Sequence, residues 1–185
     1  MSGVITGTRG VTANQRSHVI GKVPCGHVVQ TQSTVWINSD NDGSPNGMTE
    51  INTGLRVTIS PTSTRNKLWM HVTLATNGGG MTAIEVYEFF DETGEDVVTP
   101  HGEAGGNRNE AHWGHRGSHA DANDCMEMNF GLYADVLRTT ESVYTVRRKA
   151  DDGNADKFFN FTNSDNGNWG FTGTSTFFIQ EIQTY

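Results

Sequence analysis

A chain of 185 residues is sized for one domain. Apolar residues make up 34% of it and charged residues 18%; Gly, Thr, Asn and Ser fill the gap, which excludes a helix bundle, a coiled coil or a charged disordered tail. The net charge of −8 disfavours nucleic acid as a main partner, no run approaches the roughly 18 apolar residues of a membrane helix, and the polar start Met1-Ser2-Gly3-Val4-Ile5-Thr6 has no signal-peptide core, so no membrane insertion is expected.

Residues 1–24 read as an arm distinct from the body. They show little hydrophobic periodicity, and the first 39 residues contain Arg9, Arg16 and Lys22 but no Asp or Glu. Such an arm frays unless something holds it. It is expected to be pinned by a neighbouring subunit, with Arg9, Arg16 and Lys22 as its docking residues. Cys25 and Cys125 allow one disulfide at most, and spacing leaves open whether they pair. Two free buried thiols fit synthesis in the cytoplasm.

From Gly26 onward the pattern is β. Residues 27–37 are rich in β-branched and aromatic side chains and stop at a turn-forming cluster over 38–47. Residues 55–59 alternate and end at Pro61; 68–74 alternate and end at Asn77-Gly78-Gly79-Gly80; 84–90 are closed by Asp91-Glu92-Thr93-Gly94. Residues 99–124 hold four of the seven histidines and almost no aliphatic side chains, and are expected to form a long loop. Strands resume over 126–136, 142–148, 158–162 and 177–182. The expectation is an all-β fold: an antiparallel β-sandwich or jelly roll of eight or nine strands over residues 25–185. Alternation predicts that Val57, Ile59, Leu68, Met70, Val72, Leu74, Phe130, Leu132, Val143, Phe178 and Ile182 are buried, with Trp69, His71 and Thr73 on the opposite face.

Several groups of residues invite chemistry. His112, His115 and His119 with Asp121 could converge on a transition metal. Their spacing matches no established zinc signature, and a polar or interfacial loop is the preferred reading, so no metal or other cofactor is expected. At an interface such histidines would make the contact pH-sensitive. The Asp/Asn/Gly clusters at 40–43, 151–156 and 163–168 resemble pieces of calcium loops, but the same residues dominate ordinary β-turns. There is no G-x-S-x-G elbow, P-loop or G-x-G-x-x-G. Paired carboxylates such as Glu85/Glu88 suit the solvent side of a strand better than a glycosidase. Trp36 and Trp69 sit inside strand patterns and read as core. Trp113 and Trp169 sit in Gly-rich stretches, where they are candidate interface anchors or glycan platforms.

One stretch carries a family resemblance. Asn52-Thr53-Gly54-Leu55-Arg56-Val57-Thr58-Ile59-Ser60-Pro61-Thr62-Ser63-Thr64-Arg65-Asn66-Lys67-Leu68 is similar to the D-T-G-L-x-V-T-I-T-P-S-S-T-S-S-K-I segment of small β-rich structural proteins in tailed phages, especially marine ones. Residues 22–34 resemble the first strand of those proteins. Thr139-Thr140-Glu141-Ser142-Val143-Tyr144-Thr145-Val146 resembles their T-T-S-x-T-Y-x-V strand, and Ser175-Thr176-Phe177-Phe178-Ile179-Gln180-Glu181-Ile182 their closing S-T-I-T-x-x-E-I. Trp69-Met70-His71 and the His-rich stretch depart from that pattern. The resemblance implies a virion structural protein with an antiparallel sandwich, often oligomeric, and no catalytic residues to carry over.

The function expected from the sequence is therefore non-enzymatic. It is a capsid decoration or cement protein, or a tail appendage (fibre or knob) subunit, docked by its N-terminal arm. Its partners would be copies of itself, in a homo-oligomer and most simply a trimer, and other capsid or tail proteins, in the virion. A carbohydrate-binding or host-receptor-binding module taking a surface glycan is the alternative. A metal-dependent or glycan-cleaving enzyme stands third.

Overall fold

The computed structural model describes residues 26–43, 47–77, 80–91, 94–100, 102, 111–117, 125–150, 157–160 and 173–184. The arm over 1–24, with Arg9, Arg16 and Lys22, lies outside them, as do Cys25, His119, Asp121 and Trp169. The described residues form twelve strand segments, one 3-10 turn and no α-helix. In chain order the strands are β1 (His27–Trp36), β2 (Asp40–Gly43), β3 (Thr49–Glu50), β4 (Val57–Ile59), β5 (Lys67–Asn77), β6 (Gly80–Phe89), β7 (Glu95–Val97), β8 (Trp113–Gly117), β9 (Cys125–Asp135), β10 (Ser142–Ala150), β11 (Lys157–Phe159) and β12 (Ser175–Gln183). The 3-10 turn, Thr53–Leu55, precedes β4 and is capped by the Asn52 side chain, whose oxygen accepts the Gly54 N–H at 2.7 Å.

Two antiparallel sheets face each other. In the first, β1, β12, β5 and β9 lie side by side; beyond the start of β12, β11 takes its place beside Thr76 and Asn77 of β5, and β2 pairs with β11. In the second, β6 and β10 form the centre, with β7 and β8 on β6 and β3 and β4 on β10. Between them lies one apolar core. Leu68, Met70, Val72 and Leu74 from β5 are fully enclosed against Ile84, Val86 and Val146 from the second sheet and Phe177 and Ile179 from β12. The alternation of residues 68–74 thus sets β5 as the middle of the sandwich. Burying each such side chain contributes roughly 1.5–3 kcal/mol.

Three expectations about burial need correcting. Val143, Phe178 and Ile182 are only half-buried, because the opposite parity of their strands faces inward: Ser142, Tyr144 and Val146 in β10, and Ser175, Phe177, Ile179 and Glu181 in β12. In β12 this parity carries a carboxylate into the interior. An inward Glu is ordinarily excluded by desolvation; here four hydrogen-bond donors meet it and together outweigh that cost. The expected loop over 99–124 is also interrupted, since residues 113–117 form β8 and pair with Gly80–Ile84 of β6. Likewise the turn-rich cluster after β1 contains β2. Backbone pairing to an existing strand edge imposes extended structure that side-chain propensity did not announce.

Leu74→Ala removes a side chain with no exposure at the centre of this core. It is expected to cost about 2–5 kcal/mol, read as a lowered urea midpoint with an unchanged m-value.

Candidate functional site

The outer face of the first sheet carries an ordered group of aromatic side chains. Because β5 turns its even-numbered residues inward, its odd ones project outward, and the register with neighbouring strands lines them up in rows. Tyr133, Trp69, Gln180 and Thr31 form one row across β9, β5, β12 and β1; Gly131, His71, Phe178 and Ser33 form the next. A third consists of Asn129, Thr73, Thr176 and Val35. Trp69 and Tyr133 pack with ring centroids 6.1 Å apart, and His71 stacks on Phe178 at 5.1 Å and 25°. Trp69, His71 and Phe178 are half-buried and Tyr133 is 45% exposed.

Gly131 fixes the pose of the Trp69 ring. A Cβ at this position would stand 2.5 Å from Cη2 and 2.7 Å from Cζ2 of Trp69. The indole therefore lies over the glycine and against the sheet, filling the space a side chain would take. At one end of the face Lys67 and Asp135 form an ion pair. The three rows between hold no Asp, Glu, Lys or Arg. Such an uncharged face of rings and small polar side chains suits the apolar side of a sugar, or the face of another protein.

A second polar cluster sits at the corner where β12, β1 and the loop before β5 meet. Glu181 is fully enclosed. Its Oε1 accepts from the Thr62 N–H (2.8 Å), the Thr62 hydroxyl (2.7 Å) and Asn66 Nδ2 (2.5 Å), and its Oε2 from Gln30 Nε2 (2.7 Å). Burial alone would raise this carboxyl, but the four donors outweigh it and hold it below the ordinary carboxylate range. Beside it an open pocket of about 330 Å³ is lined by Val29, Thr62, Ser63, Arg65, Asn66 and Gln183. All the donors to Glu181 are neutral and all come from the protein, so this arrangement is a structural clamp.

The residues singled out from sequence divide sharply. His112 is half-buried, and its ring bridges backbone: Nδ1 accepts the Val86 N–H at 3.1 Å and Nε2 donates to the Val98 carbonyl at 2.6 Å. Both nitrogens are engaged in tying β6 to the chain beyond β7, so His112 is a tether and not an open metal ligand. His115 lies on β8 opposite Thr82, its side chain outside the described residues. Among the described residues no three His, Cys, Asp or Glu side chains converge as a metal site would require. Trp113 is partly buried and packs against the core. Trp36 is core, at 4% exposure, while Trp69 is on the outer face and not in the core. Alternation with Leu68 and Met70 carried that signal. Glu85 and Glu88 are buried rather than solvent-facing. Glu88 takes a hydrogen bond from the Tyr144 hydroxyl and lies 2.8 Å from Arg138.

No protein-family model matches the chain, and no curated protein matches it.

The Glu181 clamp makes stability depend on acid. A carboxyl lowered in the folded state stabilises fully above its unfolded value of about 4.3, and the contribution is lost as pH falls through the folded value. Glu181→Gln places an amide NH₂ among donors and is expected to cost roughly 2–4 kcal/mol at pH 7, from lost charge-assisted bonds. The gap between wild type and variant, followed by thermal unfolding, should narrow as pH falls below about 4.

Proposed function

We propose that this chain is a non-enzymatic structural protein of a tailed-phage virion. It serves as a capsid decoration or cement protein or as a tail appendage subunit, made in the host cytoplasm, docked through residues 1–24 and working as a homotrimer. The observation that carries this reading is spatial. Stretches of sequence resembling such proteins are scattered over residues 22–182, yet they fold into one unit. The first contributes β1, paired with β12 along its length. The central one contributes the 3-10 turn, β4 and the loop whose Thr62 and Asn66 grip Glu181. The third opens β10, which pairs with β4 through Ser142↔Ile59 and Tyr144↔Val57. The last is β12, the strand that bears Glu181. Motifs that are mutual structural partners support a resemblance of whole folds better than any one of them does.

The fate of the buried acids fits a scaffold. Glu181 is consumed by four neutral donors, and Glu88 by Tyr144 and Arg138. Deleting residues 1–22 should leave a folded β domain, by circular dichroism and melting, that no longer joins the particle. Normal incorporation of the truncated chain would remove the arm from its role as anchor.

The aromatic outer face favours a second reading, in which the same domain holds a host-surface glycan. Sugar stacking on Trp69 and Tyr133, with Gln180, Thr31 and Asn129 in reach of hydroxyls, is the chemistry it offers. If it operates, Trp69→Ala and Gly131→Val each lower affinity for purified host polysaccharide about tenfold, equivalent to about 1.4 kcal/mol. Trp fluorescence during titration reports this directly, and equal binding by wild type and both variants rejects the glycan reading.

A further inference from the structure

The first sheet ends in two edges that are built differently. β1 bonds to β12 on one side and β9 to β5, and neither has a second strand partner among the described residues. An unpaired edge offers its free N–H and C=O groups to another strand unless charge, proline or distortion blunts it. β1, with the sequence HVVQTQSTVW, has no Lys, Arg, Asp, Glu or Pro in ten residues. Its one irregularity is a register shift between Val28 and Gln30.

Exposed apolar surface gathers at the same two edges. Among the described residues the exposed large hydrophobic side chains are Val28, Val29, Val35, Ile37, Tyr133 and Leu137. The first four belong to β1 and the residue following it; the last two belong to β9 and the segment just beyond it. Val35 and Ile37 are 62% and 67% exposed, and Leu137 56%. Single exposed hydrophobics need no explanation, but six confined to two opposite edges of one sheet do.

Direction and charge select how these edges meet. Each strand in the series β1, β12, β5, β9 is antiparallel to the next, so β1 and β9 run in opposite directions. A second copy, rotated about an axis parallel to the strands, therefore brings its β9 alongside β1 as an antiparallel neighbour. β9 carries Glu127 and Asp135, whereas β1 belongs to the acid-free first 39 residues. Pairing β9 with β9 would gather Glu127 and Asp135 of both copies along one seam, with Lys67 beside Asp135 as the offsetting charge in each. Pairing β1 with β1 would leave Tyr133 and Leu137 uncovered.

We propose that β1 of one copy adds to β9 of the next, head to tail, so that the first sheets of neighbouring copies become continuous. Such a contact is heterologous: each copy uses two different patches, and a suitable rotation closes the set into a ring. This deepens the oligomeric part of the reading above and rests on it, but it does not depend on a role in a virion.

The test is solution mass, by light scattering and sedimentation, on the purified full chain up to millimolar concentration. Wild type is expected to run above monomer mass. A β1-blocked variant, V35K with I37K, and a β9-blocked variant, Y133K with L137K, should each be folded monomers, since all four side chains are exposed. Mixed one to one they should form a dimer and nothing larger, because each retains one working edge. A monomeric wild type, wild-type mass in either variant alone, or a mixture that stays monomeric would each overturn the proposal. A variant-free check is amide hydrogen exchange: β1 and β9 should gain protection together as concentration rises, and unchanged exchange at both edges counts against it. Failure of particle incorporation with normal assembly in solution would instead sink the virion reading alone.

Discussion

A carboxylate buried near the end of the last strand holds the sandwich together at one corner. Glu181 collects donors from three residues in two separate places of the chain: Gln30 on β1, and Thr62 and Asn66 in the loop before β5. An ion this deep is tolerable only because every donor is in place, and removing one leaves a charge partly unsatisfied in a low-dielectric site. The clamp therefore ties the first strand, the 61–66 loop and the last strand into one cooperative unit. It also explains why the loop can be rich in Ser, Thr and Asn and still be ordered: its polar groups have a fixed acceptor.

A second polar hub stands at the other end of β12. Asn160 is fully enclosed and adopts φ 61°, a left-handed conformation that Asn tolerates better than most residues. Its side chain donates to the carbonyls of Trp36 and Asn38 and accepts from the Ser175 hydroxyl at 2.6 Å, while its backbone N–H reaches Ala75. Ser175 also accepts the Ala75 N–H. β12 is thus pinned by Ser175 at its start and Glu181 near its end, with Phe177 and Ile179 packed between. In a chain with few aliphatic residues, two satisfied polar hubs specify strand register where a larger core would otherwise have to. The price is a strong dependence on each individual donor.

Strand content and the β5 alternation were legible because both follow from local pattern. Leu68, Met70, Val72 and Leu74 needed only a period of two. What failed was parity in strands where a polar residue faces inward. Phe178 and Ile182 look like core beside Glu181 until the Gln30, Thr62 and Asn66 donors are known, and those lie more than a hundred residues away in sequence. The same holds for His112, whose bonds to Val86 and Val98 turn a suspected ligand into a backbone brace. Trp69 was within reach of the sequence, since its odd position in an alternating strand contradicts a core reading. Gly131 beneath it was not, because the pairing of β9 with β5 is a long-range fact.

The two sheets bear different electrostatic loads, and this bears on how the domain can associate. On the second sheet the outer face carries charge beside its rings: Arg147 reaches Glu95 at 2.5 Å and lies 4.1 Å from the Tyr87 ring. On the core-facing side near β7, Arg138 sits 3.5 Å over Phe90 while pairing with the buried Glu88 and with Asp96. A guanidinium held over aromatic rings resists flat stacking of an apolar partner there. The Tyr87 hydroxyl, raised to about 12 by burial and by its bond to Glu85, stays protonated throughout the physiological range and keeps that network in one state. The first sheet lacks these charges across its aromatic rows and along β1. A domain with one charged face, one neutral aromatic face and an uncharged edge has a built-in direction. Association that buries the neutral edge leaves the aromatic face uncovered by that contact in every copy, and a weak contact made there by one copy would be multiplied by its neighbours.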